Sequence, residues 1–170
     1  MTREQAPEIR GIRLGMSSEQ LLSLFPEDIN RQRIAEAIRE AKSVDKYGVG
    51  FFDLRPDREI ANPRFAGVNY ITVAMLDERI TSFHIEYSGP EWKTVHQFVA
   101  KLSEGLRLPS SSWEGGVESS QLNCDGFRIE AQAFKGSTQS FVRVRDTSVP
   151  DVVEARREAA REKARQAFKP

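Results

Sequence analysis

The chain reads as α+β: an antiparallel sheet of about six strands, helices packed on one face, and a charged C-terminal helix. Three observations predict this. Apolar and polar residues alternate through short segments at 68–76 and 80–87, and again at 127–134 and 139–145. Asp125-Gly126 is a two-residue hairpin signal between two such segments. Residues 29–43 and 90–106 instead carry apolar side chains every three or four positions, the period of a helix with one buried face.

In chain order, a short strand is expected to run into Gly15, followed by a first helix over 18–25. Ser17 suits its N-cap and Gln20 the N3 position, which together make a capping box. Met16 and Leu21 fall at the two positions of a hydrophobic staple. Leu21, Leu24 and Phe25 form its apolar stripe, and Pro26 ends it. Local structure accounts for all of these residues and leaves none for chemistry. A second helix over 29–43 follows, with Glu27, Asp28 and Asn30 at its start and Ile34, Ile38 and Ala41 on its buried side. Its Arg-, Glu- and Lys-rich face reads as solvated rather than partner-binding.

Residues 47–54 read as a strand. Gly48 and Gly50 form a Gly-x-Gly that opens no helix, so the strand–loop–helix context of a phosphate cradle is missing. Asp53, Asp57 and Glu59 lie near the strand end and are the candidates for paired-carboxylate hydrolysis. Residues 55–67 form the longest irregular stretch, and Pro56 and Pro63 exclude a central strand there. Arg55, Arg58 and Arg64 with Phe65 are candidate binding residues; a connecting loop with scattered charge is the competing reading. The hairpin over 68–87 turns near Asp77-Glu78-Arg79. Its His84 shares a face with Glu86, a surface pair rather than a catalytic one.

The third helix is expected over 90–106, with Gly89 as cap, Pro90 at N1, and Trp92, Val95, Val99, Leu102 and Leu106 as its packing stripe. Trp113 follows in a Ser- and Gly-rich loop, either as a candidate binding residue or as a lid over the core edge. The Asp125-Gly126 turn places Cys124 opposite Phe127 and Leu122 opposite Ile129, all on the core face. Cys124 therefore reads as a small buried hydrophobe rather than a nucleophile. A turn over 135–138 sets Ala131 against Val142 and Ile129 against Val144, with Glu130 meeting Arg143 on the outer face.

Residues 1–149 form the domain and 150–170 a helical extension. Glu154, Glu158 and Glu162 make one row of that helix and Arg157, Arg161 and Arg165 the next, so opposite charges are neighbours. Val153, Ala160, Ala164 and Phe168 are its one apolar line. A solvated terminal helix is the simpler reading, and self-association the alternative.

Composition narrows the function classes. Among 170 residues, 25 basic and 25 acidic side chains cancel, which removes the electrostatic reason to seek nucleic acid. No apolar run approaches the roughly 20 residues of a membrane span, so no membrane insertion is expected. The single cysteine excludes an internal disulfide and a cysteine-cluster zinc site. The chain contains no P-loop, no Gly-x-Ser-x-Gly and no His-x-x-x-His, so no cofactor, metal or catalytic set is expected. The polar opening Met1-Thr-Arg-Glu-Gln-Ala-Pro does not read as a signal peptide. The chain is then either cytosolic or an exported protein whose signal has been removed.

The stretch Gly11-Ile-Arg-Leu-Gly-Met-Ser17, followed by Glu-Gln-Leu-Leu and Phe-Pro, resembles the opening of the SmpA/OmlA outer-membrane-assembly lipoproteins and of the β-lactamase-inhibitor-like α/β repeats. In both, such a turn starts a helix that packs on an antiparallel sheet. The chain departs from them in lacking a lipoprotein cysteine near its start, in its extra helix around Ile34 and in its charged C-terminal helix. It also looks similar to bacterial proteins of unassigned activity that share Gly89-Pro-Glu-Trp92, Cys124-Asp-Gly-Phe127 and Val144-Arg-Asp-Thr147. The resemblance implies a bacterial envelope setting. The function expected is a non-catalytic binding or scaffold module with a protein partner, using the open sheet face or the 55–67 loop. The alternatives are a small hydrolase with acidic residues near Asp53 and a cytosolic self-associating protein.

Overall fold

Seven strands, β1 (Val49–Leu54), β2 (Val68–Leu76), β3 (Arg79–Ser88), β4 (Glu114–Gly115), β5 (Ser119–Cys124), β6 (Phe127–Ala133) and β7 (Gln139–Asp146), form one antiparallel sheet. The computed structural model describes residues 1–25, 29–44, 47–56 and 63–168. The spatial order is β1-β2-β3-β7-β6-β5-β4, two meanders joined where β7 pairs with β3. The strand beyond the expected six is β4. Its two residues, Glu and Gly, are both exposed and carry no alternation for the sequence to display.

Register fixes the two faces. Phe52 pairs with Val73, Val73 with Phe83, Phe83 with Val144, and Val144 with Ile129, so one line of apolar side chains crosses five strands. All of them are buried. Leu21 of α1 (Ser18–Ser23) and Ile34 and Ile38 of α2 (Ile29–Val44) join the same core cluster. Val95, Phe98 and Val99 of α3 (Val95–Leu106) pack on Ala131 and Ala133, which lie on this face of β6. The β5–β6 and β6–β7 registers are those expected, including Cys124 opposite Phe127 and Glu130 opposite Arg143.

The capping box of α1 closes in both directions. The Gln20 amide donates to Ser17 Oγ at 3.2 Å, and the Ser17 amide donates to Gln20 Oε1 at 2.9 Å. The strand expected before it is instead a two-residue turn. Arg10 and Gly11 both take positive φ, 56° and 86°, and Ile9 and Ile12 exchange two backbone hydrogen bonds of 2.9 Å. The reason is the burial of Ile9, Ile12, Leu14 and Met16, which a straight strand alternating in and out would not achieve at both Ile9 and Ile12. Pro26 lies outside the described residues.

The third helix begins five residues later than its sequence signals suggest. Thr94, extended at φ −148°, is its N-cap, and Val95 its first residue. Gly89 does not cap it: its amide donates to the Thr138 carbonyl at 2.9 Å, in the β6–β7 turn. That tertiary hydrogen bond ties the chain to the β6–β7 turn, and the Gly-Pro pair is a corner rather than a helix start. Phe98, absent from the expected stripe, is buried one turn after Val95 and packs on Tyr87 and Trp92.

The terminal helix α4 (Val149–Ala167) is anchored in its first half. Val153 is buried. Arg156 grips Asp77 with both guanidinium nitrogens, at 2.5 and 2.9 Å, and also donates to the Tyr47 carbonyl at 2.7 Å. Arg157 lies 5.7 Å from the centre of the Tyr47 ring. Residues 158–168 are all exposed. The N-cap of α4 is Ser148, three residues before Asp151, which with Glu154 has the sequence pattern of a capping box.

Phe83→Ala should lower unfolding free energy by about 3–5 kcal/mol, since it empties a fully enclosed core site. Phe51→Ser, on the opposite face and 63% exposed, should change it by less than about 0.5 kcal/mol. Urea denaturation of the two variants measures both.

Candidate functional site on the outer sheet face

The face opposite the core is organised by three cross-strand rows. The first runs Phe51, Ala74, Ser82, Arg145, Arg128 from β1 to β6. The second runs Asp53, Thr72, His84, Arg143, Glu130 over the same strands. The third runs Tyr70, Glu86, Phe141, Gln132. Each is an ordinary consequence of side chains alternating across a pleated sheet.

Side-chain size along the first row makes a groove. Ala74 and Ser82 are short and form its floor, with Thr72 and His84 beside them; Phe51 and Tyr70 stand on the β1–β2 side, and Arg143 and Arg145 on the β7 side. Val149 and Pro150, the first turn of α4, close one end above Thr81. The groove holds about 560 Å³, within the 300–1,000 Å³ usual for small-molecule sites.

The basic side is under-neutralised. Arg145 pairs with Glu130 at 2.9 Å and Arg143 reaches the same carboxylate at 3.6 Å, so one acid serves two guanidinium groups. Arg128 stands next to Arg145 in register. Asp146 also lines the groove, but its charge is already met: Arg3 Nε contacts it at 2.5 Å and the Ser148 amide and hydroxyl both donate to it. Burial pushes the Asp146 carboxyl up, yet the two Ser148 hydrogen bonds and the Arg3 guanidinium outweigh this and hold it below the usual range. Three buried polar atoms on this face lack a hydrogen-bond partner among the described residues: Arg145 Nε, Arg128 Nε and His84 Nδ1.

His84 sits at the centre. Its ring lies 5.2 Å from that of Phe141. Burial lowers its pKa below the ordinary histidine value and the Arg143 guanidinium adds to this, against a weaker upward pull from Glu86 and Glu130. The imidazole is therefore neutral near pH 7. Asp53 accepts a 2.9 Å hydrogen bond from the Thr72 hydroxyl.

The residues singled out from sequence are dispersed. Arg55 stacks 5.9 Å from the Tyr70 ring centre, at the rim of the outer face. Arg64 is exposed and lies against Gly11, where its side chain fills the space a Cβ would need. Phe65 is buried and stacked on Phe25 at 4.9 Å, so it is a core residue rather than a surface contact. Trp113 donates its indole N–H to Ser103 Oγ at 3.0 Å and packs against both core clusters, the lid arrangement. Cys124 is half-buried, and burial raises its thiol pKa, which suits a packing role. Arg58, Asp57 and Glu59 lie outside the described residues.

Sequence reasoning missed Phe51, Tyr70, Arg143 and Arg145 as a group. Alternation alone puts each on the polar face of its own strand. The β3–β7 pairing that assembles them joins segments far apart in sequence, with no hairpin turn to set their register. Among the described residues no group of three His, Cys, Asp or Glu side chains is placed to hold a metal, and no helix is long and apolar enough to cross a membrane. No protein-family model, curated protein or solved structure matches the chain.

Acid should expose the strain at His84. Between about pH 7.5 and 5.5 the unfolded chain, with an ordinary histidine pKa of about 6.5, takes up the proton first. The folded state, with its depressed value, therefore loses stability as the pH falls. Wild type should lose more stability over this interval than His84→Asn in urea denaturation; equal losses would mean that the imidazole titrates normally.

Proposed function

We propose that this protein is a non-catalytic binding or scaffold module that takes its ligand on the outer sheet face. One observation carries the reading: a groove with an exposed aromatic wall and an under-neutralised arginine wall lies on the face opposite the core. Apolar side chains exposed next to unmatched guanidinium groups are characteristic of recognition surfaces. The 55–67 loop is the weaker candidate, because its aromatic residue Phe65 is buried. The envelope setting is proposed on the likeness of residues 11–17 to the openings of envelope lipoproteins.

A small hydrolase is the second reading. It is favoured by the row that places Asp53, Thr72 and His84 side by side. The hydrogen bonding argues against a Thr–His–Asp set: the Thr72 hydroxyl donates to Asp53, and His84 Nδ1 has no partner among the described residues to orient it.

Titrating a library of small fragments while recording amide spectra tests the reading. Ligands should shift the amides of Thr72, Ser82, His84 and Arg143, and Phe51→Ser should weaken them about tenfold, the scale of one lost aromatic contact. Ligands that shift only residues 158–168 or the 63–67 segment would place the binding surface elsewhere.

A further inference from the structure

The groove's two walls differ in chemistry, and that difference specifies a ligand. From Phe51 on β1 to Arg145 on β7 the first row crosses three strand spacings, roughly 14 Å at about 4.8 Å each. Between them the floor is Ala74 and Ser82, the two smallest side chains of the row. A planar or chain-like apolar body can lie on that floor against Phe51 and Tyr70. Its far end then meets Arg143 and Arg145.

Charge decides what that end must be. Among the described residues Arg143 and Arg145 share one carboxylate, Glu130, with Arg128 beside Arg145 in register, and the Asp146 carboxylate is taken by Arg3. At the aromatic end Asp53 is bonded to Thr72 and Glu86 to Asn69, while Arg55 covers Tyr70. The surplus positive charge therefore lies on the β7 side. Arg143 and Arg145 are the two arginines that line the groove on that side. A neutral His84 contributes no charge and leaves the floor compatible with an apolar body.

Resting on the reading of the outer face as the binding surface, we infer that the groove binds a small amphiphilic monoanion. Its apolar, ring-sized body lies between Phe51 and Tyr70 over Ala74 and Ser82, and its carboxylate, sulfonate or phosphodiester group pairs with Arg143 and Arg145. Loss of a charge-assisted hydrogen bond from either guanidinium lowers affinity by at least about tenfold.

Two probes that share one aromatic body separate the contributions. These are 8-anilinonaphthalene-1-sulfonate, which carries the anion, and N-phenyl-1-naphthylamine, which lacks it. Fluorescence titration of the full chain should show saturable binding of the sulfonate, about tenfold or more tighter than the neutral amine. Arg143→Gln and Arg145→Gln should each bring the sulfonate toward the affinity of the amine and leave the amine unchanged. Phe51→Ser should weaken both probes. Amide spectra of each variant confirm that the fold is kept and report where the probes sit. Equal affinity of the two probes in wild type overturns the anion assignment, and so does sulfonate binding that both arginine variants leave intact. In either case shifts at Thr72, Ser82 and His84 still uphold the outer face as a binding surface. Shifts confined to other regions overturn that reading as well.

Discussion

The pairing of β3 with β7 is the constraint on which the rest of the molecule depends. Among the described residues it is the one strand pairing by which the β1–β2–β3 meander and the β4–β5–β6–β7 meander become one sheet. On the core face it sets Phe83 against Val144 and Ile85 against Val142, all almost fully buried. On the other face the same register sets Ser82 against Arg145 and His84 against Arg143. A shift of one residue would exchange the two sets, placing arginines in the core and valines in solvent. Hydrophobic burial on one side thus fixes the polar constellation on the other.

Helix α4 shows how one surface contact shapes a distant site. Asp77 and Glu78 form the β2–β3 turn with both residues at positive φ, 49° and 65°. Neither is glycine, and each such residue costs on the order of 1 kcal/mol of strain. The Arg156 guanidinium locks Asp77 in that turn from across the fold and holds its carboxyl below the usual range through the hydrogen bond they share. The turn and the helix therefore position each other. Because the first half of α4 is fixed, its opening residues Val149 and Pro150 stand as the end wall of the groove. The exposed remainder is held by its own ion pairs, such as Arg161 with Glu154 and Arg165 with Glu162, and needs no surface beneath it.

The outer face brings groups of unlike chemistry into a small area. Exposed single hydrophobics are common on any protein, and surface ion pairs contribute little to stability. An exposed phenylalanine across a floor of alanine and serine from two arginines that share one glutamate is a more specific arrangement. Replacing those arginines with neutral residues would relieve unmatched charge in the free protein. In the proposed reading that surplus charge is what an anionic ligand would meet.

The sequence by itself determined the local elements and the nearby pairings. Ser17 and Gln20 closed their capping box because both hydrogen bonds lie within four residues. Asp125-Gly126 fixed the β5–β6 register because a two-residue turn leaves the strands no other alignment. The division of each strand into a buried and an exposed face followed from its period. Tertiary structure decided what the sequence could not encode locally. Gly89 and Pro90 carry the signals of a helix start, yet the hydrogen bond from Gly89 to Thr138 made them a corner. Phe65 reads as a loop residue, but stacking on Phe25 made it core. The candidate site depended most on long-range contact. Phe51, Tyr70 and Arg145 are unremarked on their own strands, His84 and Arg143 read only as members of surface pairs, and the five become a groove through the β3–β7 register and the burial that selects it.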